Sequence, residues 1–142
     1  ARCRRPFPSS RPGQHTVRVA CGASHSLFVL QRGELLGCGR NDMGQLGLGE
    51  GVGFQTKPCE ILTADILGHK KVTRMSCGEH TLVKLDDGSM IGWGCNQNGQ
   101  LGLGHLENAH EPKELPVDGT RASLHAGAFH SFVVYSRDED DD

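Results

Sequence analysis

The stretch Gly44-Gln45-Leu46-Gly47-Leu48-Gly49 recurs letter for letter as Gly99-Gln100-Leu101-Gly102-Leu103-Gly104. Six identical residues in a row, offset by 55 positions, are not expected by chance in a chain of 142 residues. Further matches keep the same register: His25 with His80, Gly33 with Gly88, Gly37 with Gly92, Gly39 with Gly94, and Asn41 with Asn96. A repeat of this period means a stacked or radially arrayed fold rather than one indivisible core. Glycine at alternate positions makes a poor helix and a poor flat strand. It suits a compact loop whose backbone packs close to a neighbour.

Outward from that loop the unit reads as short strands. Val17-Arg18-Val19-Ala20-Cys21 alternates in the manner of a half-buried strand, and Gly22-Ala23-Ser24-His25 interrupts it. Ser26-Leu27-Phe28-Val29-Leu30 is a second apolar, β-rich run, Gln31-Arg32-Gly33-Glu34 a turn, and Leu35-Leu36-Gly37-Cys38-Gly39 a third strand. The matching turn in the second unit, Asp86-Asp87-Gly88-Ser89, places Asp-Gly between β-rich runs, a strong hairpin signal because Gly accepts positive φ. The fourth extended pieces, residues 56–61 and 111–116, carry Pro58, Pro112 and Pro116. Proline withholds a ladder donor and so predicts an edge strand. Four short antiparallel strands per unit of about 50 residues is the pattern of a propeller blade. The expected fold is therefore all-β, built of antiparallel β-propeller blades.

The segment Val19-Ala20-Cys21-Gly22-Ala23-Ser24-His25-Ser26-Leu27-Phe28-Val29, followed by Gly39-Arg40-Asn41-Asp42-Met43-Gly44-Gln45-Leu46-Gly47, resembles the repeat of the regulator of chromosome condensation family. The resemblance covers residues 17–136, and its two signature segments occur in order in both units. It implies a seven-bladed propeller, of which this chain holds two units (17–71 and 72–121) and part of a third (122–136). By the same pattern the repeat positions are Gly22, His25, Gly33, Gly39, Asn41, Gly44, Gln45, Leu46 and Gly47. Their counterparts are Gly78, His80, Gly88, Trp93, Gly94, Asn96, Gly99, Gln100, Leu101 and Gly102, and then Gly127 and His130 in the third unit. The second unit departs by having one residue fewer between Gly78 and His80 than lies between Gly22 and His25. The third has His125 where a small residue is usual.

About three units are needed before such an array stands alone. The expectation is that the chain is an excerpt of a longer propeller; closure by self-association and an open arc with protected ends are the alternatives. The third unit should leave an open edge at Tyr135 and its neighbours.

Charge is distributed unevenly around an overall net charge of −2. Residues 1–19 carry Arg2, Arg4, Arg5, Arg11 and Arg18 without an acid, and with Pro6, Pro8 and Pro12 the head (1–16) reads as disordered or a linker. The tail (137–142) is an acidic, solvated run. No stretch is long and apolar enough for a transmembrane helix, and the head lacks the apolar core of a secretory signal. Cys3, Cys21, Cys38, Cys59, Cys77 and Cys95 show no Cys-x-x-Cys spacing. Cys21 and Cys77, at the same strand position, are expected as reduced core thiols of a cytoplasmic or nuclear protein.

No catalytic, cofactor or metal site is expected. The once-per-unit recurrence of His25, His80 and His130 points to a structural histidine in each separate blade, holding the neighbouring turn through its backbone groups. His105, Glu107 and His110 are a weak metal pattern at irregular spacing. His69, Lys70 and Lys71 read as a solvated loop between blades. Asp86 and Asp87 are adjacent in a turn, where acid–base pairing is implausible. No nucleophile elbow or phosphate loop is present, and the glycine loop lacks the strand-to-helix context of one. Trp93 is the one tryptophan of the chain and reads as core. Some propellers of this resemblance sense ultraviolet light through clustered tryptophans, which a single Trp cannot form.

Function in such a scaffold lies in its loops. The expectation is a non-enzymatic protein-interaction module, with a small GTPase or chromatin proteins as the partners the resemblance implies. Nucleotide exchange in the founding regulator rests on a protruding wedge, and no insertion here matches one. A chromatin or nucleic-acid factor acting weakly through the Arg-rich head and an inhibitor-type propeller are the alternatives. The variable loops, 50–55 and 105–111, carry no readable partner code.

Overall fold

The computed structural model describes residues 15–136; the readings of the basic head up to residue 14 and of the acidic tail lie outside the described residues. The elements run β1 (Thr16–Cys21), β2 (His25–Leu30), β3 (Leu35–Gly39), β4 (Gln55–Leu62), α1 (Ala64–Leu67), β5 (Val72–Cys77), β6 (His80–Leu85), β7 (Met90–Gly94), β8 (Ala109–Glu114), β9 (Ala122–Ala126) and β10 (Ser131–Tyr135). They form two four-stranded sheets in the orders β1-β2-β3-β4 and β5-β6-β7-β8, plus a two-stranded ladder of β9 and β10. Every pairing is antiparallel. The chain is thus all-β, two full blades and half of another, apart from one helical turn that the strand pattern did not announce. That turn is local chemistry: Thr63 caps it by accepting from the Ile66 amide, and Gly68 closes it at φ 64°.

Sequence periodicity explains the meander. Between β2 and β3 the Gly33 amide donates to Leu30 at 2.8 Å and the Leu30 amide to Glu34 at 3.0 Å. Gly33 sits at φ 90° and Gly88, its counterpart, at φ 88°. This is a tight turn closed by a left-handed glycine, a twist that matches its flanking strands. The outer strands β4 and β8 each break register against the third strand, between Gly37 and Gly39 and between Gly92 and Gly94. Pro58 and Pro112 fall in those irregular stretches, where no ladder donor is required. β8 ends at Glu114 rather than reaching Pro116, although the Leu115 amide still donates to the Met90 carbonyl at 2.9 Å.

The residue missing from the second unit is absorbed inside the turn. Cys21 pairs with Ser26 and Cys77 with Thr81, while His25 and His80 keep equivalent partners, Gly39 and Gly94. One continuous core runs through all the sheets, including Leu27, Leu46 and Leu62 of the first unit, Leu82, Val83 and Trp93 of the second, and Leu124 of the third. The first strands of successive units lie side by side, β1 against β5 and β5 against β9. Cys77 on β5 is accordingly half-buried, and burial pushes its thiol up to about 12. Cys21 is exposed, which corrects its reading as a core thiol: β5 is flanked by β1 on one side and β9 on the other, whereas β1 has only β5 beside it among the described residues. At the far end β10 pairs with β9 alone, and Phe132, Val134 and Tyr135 stand exposed. No described helix is long and apolar enough to cross a membrane.

Candidate functional site

The two glycine loops are the same object built twice. Gly44, Gly47 and Gly49 have φ of 85°, 63° and 102°; Gly99, Gly102 and Gly104 have 74°, 62° and 84°. Each loop folds around a buried asparagine. Asn41 Oδ1 accepts from the Leu46 amide at 2.9 Å, and Asn96 Oδ1 accepts from Leu101 at 3.0 Å. Asn41 Nδ2 donates to the Val52 carbonyl at 2.8 Å, and Asn96 Nδ2 to those of His105 and Glu107 at 2.8 and 3.0 Å. The side chains of Gln45 and Gln100 take the amides of Met43 and Asn98, both at 2.9 Å. An asparagine and a glutamine four residues apart therefore satisfy the polar backbone of a buried loop that has no ladder to join.

The first loop is also a joint between units. The Gln45 carbonyl accepts the indole N–H of Trp93 at 2.8 Å and the Thr81 hydroxyl at 3.0 Å. A Cβ on Gly47 would stand 3.2 Å from the Trp93 ring, and one on Gly44 would stand 2.5 Å from the Ala109 carbonyl. The Gly49 amide donates to the His110 carbonyl of β8 at 2.8 Å. Glycine is needed at 44 and 47 for two reasons together: the positive φ and the approach of β7 and β8.

The recurring histidines form a seam between units. His25 Nε2 lies 2.8 Å from the Thr81 hydroxyl, and His80 Nε2 lies 2.6 Å from that of Ser131. Thr81 has already given its proton to Gln45, so His25 Nε2 donates and Nδ1 carries a lone pair. Burial holds both imidazoles down, from 6.5 to about 4; for His80 the neighbouring His25 and His130 add to the effect. His25 and His80 are therefore neutral at physiological pH, and His80 lies between His25 and His130, near enough to feel both. This corrects one detail of the sequence reading: each histidine belongs to its own blade, but Nε2 of His25 and His80 holds a hydroxyl of the next unit rather than a backbone group of the adjacent turn. The signal was present: each histidine is followed by a hydroxyl residue, Ser26, Thr81 or Ser131. His130, by contrast, is exposed, its ring edge-on to Phe132 at 5.1 Å. The turns before these histidines also touch. The Ala23 amide donates to the Gly78 carbonyl at 3.1 Å and the Glu79 amide to Ala128 at 3.3 Å. A Cβ on Gly78 would collide with the Gly127 carbonyl.

Beyond the glycine loops the chain opens to solvent. Glu50 of the first unit meets His105, Glu107, His110, Glu111, Lys113 and Glu114 of the second around an open groove of about 650 Å³. His105 Nδ1 accepts from the Glu107 amide at 3.2 Å, so that ring nitrogen fixes its own turn. No group of three metal-ligating side chains forms among the described residues. Asp87 lies at a hairpin tip, where Lys70 at 2.9 Å and the amide and hydroxyl of Ser89 hold its carboxyl down to about 2. A carboxylate so fixed in its charged form has no proton to trade. His69, Lys70 and Lys71 are exposed between the units. What the arrangement offers is surface: a row of blades and an acid-rich groove assembled from loops of two units.

Sheets that meander from β1 to β4 and from β5 to β8, joined at their seams, define a partial β-propeller. The chain belongs to the regulator of chromosome condensation (RCC1) repeat family, whose repeats match at residues 32–83 and 87–134 and, in a second form, at 17–45 and 72–100. It is 36% identical over 82% of its length to the probable E3 ubiquitin-protein ligase HERC6 of Homo sapiens, covering 11% of that protein. It is also 36% identical over 75% of its length to the ultraviolet-B receptor UVR8 of Arabidopsis thaliana, covering 24% of it. The human WBSCR16 structure superposes with a TM-score of 0.75 at 28% identity, covering 90% of this chain and 32% of that one. Prp20p of Saccharomyces cerevisiae, studied for its binding properties to Gsp1p and histones, gives a TM-score of 0.70 at 20% identity, over 93% of this chain and 34% of that one; it shares the fold. The chain spans between about a tenth and a quarter of the curated relatives named here.

Proposed function

We propose that this chain is a non-enzymatic protein-interaction module whose partner surface is the groove between its first two blades. One observation carries the reading: loops some 55 residues apart in sequence, around Glu50 and around residues 105–114, are brought to one open rim carrying Glu50, Glu107, Glu111 and Glu114 against Lys113. Such a rim complements a basic protein segment, and a field of this sign speeds encounter more than it tightens binding. Small GTPases and chromatin proteins are the partner classes to try, supported by the family and by the Gsp1p and histone binding named for Prp20p. On this reading the chain acts in the cytoplasm or nucleus. The ligase activity in the name of HERC6 stays with that protein, because the match spans only its repeat region.

The test is titration of the chain against a core-histone dimer, a nucleotide-free small GTPase and duplex DNA. The triple variant Glu107→Gln/Glu111→Gln/Glu114→Gln is run beside it. The reading expects saturable binding to one of the proteins, weakened about tenfold in the variant and by added salt. Binding to DNA alone, or protein binding indifferent to the variant, would overturn it.

A further inference from the structure

The seam between the first two blades is walled by two complete sheets, β1 to β4 and β5 to β8, so described residues set its shape on both sides. On its rim stands α1, in the connection 63–71; the matching connection of the second unit, 115–121, has no helix. This turn sets Ile66 on the surface, 60% exposed. A single exposed apolar residue needs no partner, but this one stands over two neighbouring hollows that it lines together with Pro112 of β8. One hollow, of about 250 Å³, is also lined by Leu48, Ile61, Glu60 and Glu111. The other, of about 220 Å³, is also lined by Leu62, Leu67, Ile91, Lys70 and Glu114.

The hollows say what fits. Each is below the range of about 300–1,000 Å³ that holds a small-molecule ligand, and each suits one aliphatic side chain. Side chains at alternate positions of an extended segment point the same way about 6.5 Å apart, a spacing that suits two hollows with a common wall. Main-chain pairing is not the source of affinity here, because Pro112 withholds a donor and Glu111, Lys113 and Glu114 blunt the edge of β8. Charge selects further. Glu60, Glu111 and Glu114 border the hollows, and Lys70, the cation of their linings, is held by Asp87 at 2.9 Å. Glu111 and Glu114 also border the acidic groove, so the seam continues it. We propose that the seam is a docking site for an extended basic segment of a partner protein, two of whose aliphatic side chains, at alternate positions, anchor on either side of Ile66. The proposal rests on the groove reading and specifies the partner: the groove takes the charge and the hollows take the anchors.

Two peptides separate the anchors from the charge. A synthetic peptide, Lys-Arg-Leu-Lys-Leu-Arg-Lys, is titrated into the isotope-labelled full chain, with calorimetry and amide spectra as readouts. The expected result is saturable binding with shifts centred on residues 60–67 and 110–114. The same peptide with serine for both leucines should bind at least about tenfold more weakly, as should the leucine peptide to the Ile66→Ser chain. Ile66 is on the surface, so that variant should keep its circular dichroism spectrum; the serine peptide on the unchanged chain tests the anchors even if it does not. Equal affinity of the two peptides, both weakened by the triple glutamine variant, would overturn this proposal and leave the groove reading standing. Absence of saturable binding would overturn it too, while the histone and GTPase titration decides the groove reading separately. Self-association of the chain lost in Ile66→Ser would make a second copy the occupant. Stronger peptide binding after removal of residues 1–14 would make the chain's own basic head the occupant, and either result would overturn the proposal.

Discussion

The glycine loops at 44–49 and 99–104 have one sequence, similar left-handed glycine angles and the same asparagine and glutamine bonds to their amides, but different surroundings. The first is covered: Trp93 lies on Gly47, β8 passes across Gly44, and the Gln45 carbonyl takes two donors from the next unit. The second is open at Gly102 and Gly104, and its nearest neighbour at Gly99 is 3.9 Å from where a Cβ would be. The conformation therefore does not depend on the cover. It is set inside the loop by asparagine and glutamine side chains and by glycines that accept positive φ without a steric penalty. The cover adds something else, a joint that transmits the position of one blade to the next.

The largest effect is expected where the cover is removed. Trp93→Ala should lower stability by about 3–5 kcal/mol in urea unfolding followed by circular dichroism. The Leu46 and Gly47 amides should then exchange with solvent as fast as Leu101 and Gly102. Unchanged protection in the first loop would show that Trp93 is not its cover.

Paired alanine substitutions should split the twins. Gly44→Ala meets the Ala109 carbonyl at 2.5 Å as well as an unfavourable φ, whereas Gly99→Ala meets only the φ. The second should cost about 1–2 kcal/mol for the left-handed backbone alone, and the first clearly more. Equal losses would mean that the packing around Gly44 yields freely.

Acid should open the seam beside the covered loop. The folded pKa of His25 and His80, about 4, lies below the ordinary 6.5, so in that window the unfolded chain binds protons that the folded chain does not. Stability is fully present above about 6.5 and falls as pH drops towards 4, by roughly 1–3 kcal/mol per histidine. Histidine ring resonances followed by NMR should titrate near 4 for these two. Titration near the ordinary value would show that the seam is wet.

The smallest effect belongs to a contact outside both loops. Lys70→Ala removes the exposed partner of Asp87 and should leave the melting temperature unchanged within error, as is usual for surface pairs. A drop of several degrees would make the hairpin tip part of the joint.

Much of this molecule was legible because it is written twice. The 55-residue register fixed which residues correspond, and glycine before a strand, Asp-Gly in a turn and proline in an outer strand each have a local cause that holds in any surroundings. The helical turn at Ala64–Leu67 was hidden only by its brevity, for Thr63 and Gly68 mark both its ends. The candidate groove was not legible. Glu50 and Glu114 come to one rim only when the second blade swings β8 beneath the first loop. Cys21 was misread for a related reason: its strand position matches Cys77, but burial depends on what stands next to the strand.

The sequence by itself determined the repeat, the strands, the hairpins and the conformation of both glycine loops, because those follow from backbone preferences and hydrogen bonds spanning a few residues. Only the tertiary structure decided which copy of each repeated feature is covered, which hydroxyl each buried histidine holds, and which acidic loops share a rim. Those depend on contacts between units, where identical residues meet different neighbours.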